Sequence, residues 1–92
     1  MRGVKGEFKS LDFAFRHETH QAQSVKNFIA ASYAAAAPDC HTLAEHRYRN
    51  GEHRFATCRN MHISESQYYK LLGKFLQTAK ALHENFLLKC GK

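Results

Sequence analysis

The strongest constraint on the fold lies in the last third of the chain. Ser64-Glu65-Ser66-Gln67 has the form of a capping box, with Ser64 as N-cap and Gln67 at the third helical position. After it, Tyr68, Leu72, Phe75, Ala79, Leu82 and Phe86 recur at alternating four- and three-residue steps, and Leu71, Leu76 and Leu87 widen the stripe. That period predicts a long amphipathic helix over about 65–89, with Gly91 just past its end. Gly73 interrupts the pattern and is expected to mark close packing.

The upstream segments read differently. Leu11, Phe13 and Phe15 alternate with Asp12, Ala14 and Arg16, the period-two signature of a half-buried strand. Thr19 suits an N-cap, and Ala22, Val25, Phe28, Ile29, Ser32, Tyr33 and Ala36 then follow at helical spacing, with Pro38-Asp39 as the stop. This predicts a helix over about 20–36. The stretch RYRNGEHRF, residues 47–55, reads as a β-hairpin around a two-residue Asn50-Gly51 turn of type I′. In that register Arg47 faces Arg54 and Arg49 faces Glu52, while His46, Tyr48, His53 and Phe55 form the inward face. The expected order is β-α-β-β-α: an α+β fold with a small antiparallel sheet packed against two helices. The 92 residues suit a single domain, with residues 1–7 as a basic arm.

Fourteen Lys and Arg against eight Asp and Glu give a net charge of +6, which steers a protein toward polyanions. Three cysteines at no repeating spacing argue against a disulfide framework and suit a reducing cytoplasm. The first ten residues lack the apolar core of a signal peptide, and no apolar run reaches membrane-spanning length.

Seven histidines and three cysteines raise the question of zinc. Cys40-His41 with Cys58 and His62 supplies four candidate ligands, and His17 with His20 a weaker pair, but the spacing matches no zinc-binding signature. No metal and no cofactor are expected. Neither Cys40 nor Cys58 lies in a nucleophile motif, the carboxylates are scattered, and phosphate-binding glycine loops are missing, so an enzyme is not expected. What remains is basic. Arg47, Arg49 and Arg54 project from the expected hairpin, Arg59 follows it, and Lys70 and Lys74 stud the polar side of the last helix. These six are the candidate partner- or nucleic-acid-binding residues, and Tyr69, next to Lys70, offers an aromatic platform to a base.

From MRGVKGEFKSLDFAFRHETHQAQ to YYKLLGKFLQTAKALHENFLLKCGK, the small, basic chain resembles the phage-encoded anti-CRISPR proteins, most of all inhibitors of the type I-F surveillance complex. The resemblance rests on size and overall character across the full length; those proteins share no signature motif, so no residue role is carried over by position. It implies a non-enzymatic inhibitor acting in the host bacterial cytoplasm. Such an inhibitor docks on the Cas-protein and guide-RNA assembly and blocks hybridisation of target DNA, with no membrane and no small-molecule substrate involved. Many members of that group are acidic DNA mimics, whereas this basic chain would contact guide RNA or acidic protein surfaces. The alternative is a small basic DNA- or RNA-binding regulatory protein, expected to bind free nucleic acid with a steep salt dependence.

Overall fold

The computed structural model describes residues 6–90, with side chains described as far as Glu84. Residues 1–5 of the expected basic arm, the side chains of Phe86 and Leu87, and Gly91 lie outside the described residues. The expected α+β architecture is overturned: the described secondary structure is helical throughout, with no strand and no sheet among the described residues. Five α-helices follow one another: α1 (Lys9–Arg16), α2 (Gln23–Ala35), α3 (Pro38–Ala44), α4 (Arg54–Met61) and α5 (Glu65–Cys90). A 3-10 turn at Gly6–Phe8 leads into α1, another at Glu18–His20 follows it, and a π-helical turn at Glu45–Arg49 extends α3.

Helix α5 is the axis against which the other four pack. As far as Ala79 its expected stripe is observed, with Tyr68, Leu72, Phe75, Leu76 and Ala79 buried and Leu71 packed against the core, while Leu82 is only half-buried. The capping box is formed in both directions: Gln67 N donates to Ser64 Oγ at 3.1 Å, and Ser64 N donates to Gln67 Oε1 at 3.3 Å. Gly73, however, marks no close contact, because a Cβ built there meets nothing within 4 Å.

The segment read as a first strand is α1. Phe8 and Phe15 are buried and Leu11 packs against the core, at the i, i+3, i+7 spacing of one helical face. Phe13, which completes the apparent alternation, is instead 61% exposed. An eight-residue run with Phe, Leu and Phe in it satisfies either period, and only the burial of residue 8 with residue 15 decides between them. Helix α2 buries Ile29, Ser32 and Tyr33 as its spacing predicts, but its N-cap is Ala22 rather than Thr19, which sits in the preceding 3-10 turn.

Pro38 stops α2 and also starts α3, occupying the first helical position, where its missing N–H is no loss. The hairpin register fails from here onward. Cys40, Leu43, Ala44 and Tyr48 are buried at steps of three, one and four residues, the mark of a helix running on into the π turn. Asn50-Gly51 ends that helix. A type I′ turn needs positive φ at both residues, but Asn50 has φ −92° and only Gly51, at φ +64°, is left-handed. Asn50 N donates to the Glu45 carbonyl and Glu52 N to the His46 carbonyl, both at 2.9 Å, so the dipeptide is a helix C-terminus.

The core is an aromatic hub. The Phe15 ring meets Phe28, Tyr33, Tyr48 and Phe75 at centroid distances of 5.0–6.3 Å, which joins α1, α2, the π turn and α5 at one point.

Candidate basic groove

Helix α1 has a second face. Lys9, Asp12, Phe13 and Arg16 stand at i, i+3, i+4 and i+7, opposite the buried Phe8–Leu11–Phe15 stripe. Across from them runs the Gly51–Arg54 segment that links the π turn to α4, and Arg47 and Tyr69 complete the lining of an open groove of about 740 Å³. Its walls carry four cations, Lys9, Arg16, Arg47 and Arg54, against two carboxylates, Asp12 and Glu52.

Both carboxylates are engaged from within the protein. Asp12 accepts hydrogen bonds from Tyr48 Oη at 2.6 Å, Arg16 Nε at 2.8 Å and Arg47 Nη2 at 3.0 Å. Burial by itself would push the Asp12 carboxyl up, but the bonds from Tyr48 and Arg16 and the Arg47 charge outweigh it and hold its pKa below the ordinary value. The same burial, with the Asp12 charge alongside, pushes the Tyr48 hydroxyl up and keeps it protonated as the donor. Glu52 accepts from Thr57 Oγ1 at 3.0 Å and Asn60 Nδ2 at 3.2 Å. His46 Nδ1 lies 2.9 Å from Glu52 Oε1 without hydrogen-bond alignment. Three of the four cations are paired as well, Arg16 and Arg47 with Asp12 and Arg54 with Glu65, so Lys9 is the groove cation with no carboxylate partner among the described residues.

The six expected binding residues do not share one site: Arg47 and Arg54 line this groove, Lys70 and Lys74 border another recess, and Arg49 and Arg59 line neither. Arg47 does not oppose Arg54 across a hairpin: it is an interior strut, its side chain 13% exposed, bonded to Asp12 and donating to Tyr68 Oη at 2.9 Å. Arg54 lines the groove, pairs with Glu65 at 2.9 Å and lies over the Phe55 ring at 4.5 Å. Arg49 points elsewhere, reaching Glu18 at 3.4 Å with its guanidinium 3.9 Å above the Tyr33 ring. Arg59 is exposed on α4. Lys70 and Lys74 border a separate recess of about 290 Å³ with Met61, Ile63 and Leu71. Of the inward face expected for the hairpin, Tyr48 is buried but Phe55 is 54% exposed.

Sequence reasoning missed Lys9, Phe13 and Arg16. Their signal was the 9-12-13-16 spacing, which has meaning only once the segment is read with a helical period. The cysteines and histidines do not converge: among the described residues no group of three or more His, Cys, Asp or Glu is placed to hold a metal ion. Burial pushes the Cys40 and Cys58 thiols up, away from the reactive thiolate. No helix among the described residues is long and apolar enough to cross a membrane.

Comparison with protein-family models, curated proteins and solved structures finds no match to this chain.

Proposed function

We propose that this chain is a non-enzymatic binding protein that docks on a polyanionic surface through the groove between α1 and the start of α4. The observation that carries this reading is the composition of the groove: its lining holds four cations against two carboxylates, and one of the cations, Lys9, has no carboxylate partner among the described residues. Lys9, with no carboxylate partner among the described residues, and Arg16, with a side chain 52% exposed, are the cations best placed to reach a ligand. Arginine at such a site suits phosphate bidentately, and the net charge of +6 speeds the encounter. The likeness to type I-F anti-CRISPR proteins supports a finer reading, in which the partner is the guide-RNA-loaded surveillance complex and docking occludes target-DNA hybridisation. The same groove also supports the rival reading, a small regulator that binds free DNA or RNA.

The test compares the parent with the double charge reversal Lys9→Glu/Arg16→Glu. Both residues lie on the outer face of α1, and Asp12 keeps its bonds from Arg47 and Tyr48 when Arg16 is replaced, so the variant is expected to fold. Binding to purified type I-F surveillance complex is expected to weaken at least tenfold, with a melting temperature within a few degrees of the parent. Unchanged affinity would remove the groove from the interface. Tight binding to free duplex or single strands, with none to the complex, would favour the regulator.

A further inference from the structure

We infer that the ligand of this groove is single-stranded nucleic acid, with an unpaired base stacked on Phe13 while Lys9, Arg16 and Arg54 hold the flanking phosphates. The inference rests on the groove reading above and narrows its ligand class. Phe13 is the most exposed large apolar side chain among the described residues, 61% accessible, and it stands in the middle of a cationic face. An aromatic ring left in water loses the free energy of burial, and here the alternative was close at hand: Phe8 and Phe15 of the same segment are buried in the core. Among the described residues the Phe13 ring pairs with His17, at a centroid distance of 4.4 Å.

Three candidate ligands separate on this chemistry. An acidic peptide would satisfy the cations and leave the Phe13 ring in water. A duplex offers phosphate but hides the faces of its bases in its own stack. An unpaired strand offers both, phosphate for the cations and a π face for the ring, which is the combination by which proteins bind single strands without reading their sequence. On its other side the groove is lined by Tyr69 and by Arg54, whose guanidinium pairs with Glu65 at 2.9 Å and would exchange that partner for a phosphate.

The chain has no tryptophan, so Phe13→Trp places a single fluorescent reporter in the groove. Titrating that variant with an oligouridylate of about a dozen nucleotides, long enough to span one such site, is expected to quench its emission, while a duplex of equal length leaves it unchanged. In the otherwise unaltered protein, Phe13→Ala is expected to lower affinity for the same labelled oligouridylate about tenfold, the size of one base–aromatic stack. The fold is expected to stay intact because the ring is outside the core. An unquenched reporter, equal quenching by the duplex, or parental affinity after Phe13→Ala would overturn the inference. The two readings fail separately. If Lys9→Glu/Arg16→Glu weakens binding to the surveillance complex but Phe13→Ala does not weaken oligouridylate binding, the groove reading stands and base stacking falls. If the charge-reversed protein binds both partners like the parent, both fall.

Discussion

Asp12 shows how one residue can carry several roles at the residue scale. It accepts from Tyr48, Arg16 and Arg47, and Arg47 in turn donates to Tyr68, so α1, the π turn and α5 are tied through a single carboxylate. Its lowered pKa sets the sign of a pH effect. Because the folded carboxyl holds its proton less tightly than the unfolded one, this stabilisation is complete above the unfolded pKa, about 3.9. It is lost as pH falls through the depressed folded value. Urea midpoints measured from neutral pH downward should therefore hold until about pH 4 and then decline. Asp12→Asn should cost about 2–3 kcal/mol at neutral pH, since it leaves Arg47 without its counter-charge, and should flatten the acid decline. An acid limb unchanged in the variant would mean that other carboxylates carry it. Neither the network nor Arg47's place in it was legible in the sequence, where Asp12 and Arg47 are 35 residues apart.

At the scale of the elements, legibility followed length. Helix α5 runs for 26 residues, so its 3.6-residue period repeats often enough to exclude any other reading, and its capping box marks the start. The eight residues of α1 hold barely two turns, and the same phenylalanines fit a strand. Asn50-Gly51 is ambiguous for a different reason. A glycine at positive φ closes helices and hairpins alike, and the conformation of the residue before it distinguishes them. Gly73 is the testable element. It sits inside α5 with open space where a Cβ would be, so it brings the backbone entropy of glycine without any packing in return. Gly73→Ala should stabilise the protein by about 0.5–1 kcal/mol and raise the melting temperature by a few degrees. A loss of stability would mean that the position requires glycine and does not tolerate the added Cβ.

For the whole molecule the deciding object is the aromatic hub. Phe75 of α5 touches Phe15, Tyr33 and Tyr48 from three other elements, at centroid distances of 5.0, 5.3 and 6.2 Å. Phe75→Ala should cost about 3–5 kcal/mol, a large part of the stability of a domain this size, and calorimetry should show a correspondingly lower melting temperature. Phe75→Leu should recover part of that loss by refilling the cavity. A cost below about 1 kcal/mol would mean that the hub is not the centre of the fold.

The positive charge, the apolar stripe of α5 as far as Ala79 and the capped start of that helix were determined by the sequence itself, because each is a property of composition or of a pattern contained within one segment. The all-helical fold and the groove were decided by tertiary structure. Whether residues 8–16 and 40–55 become strands or helices depends on which of their side chains find partners on α5, and that is contact between residues distant in the chain. The same contacts turn Arg47 inward to Asp12 and leave Phe13 outside among the cations of the groove.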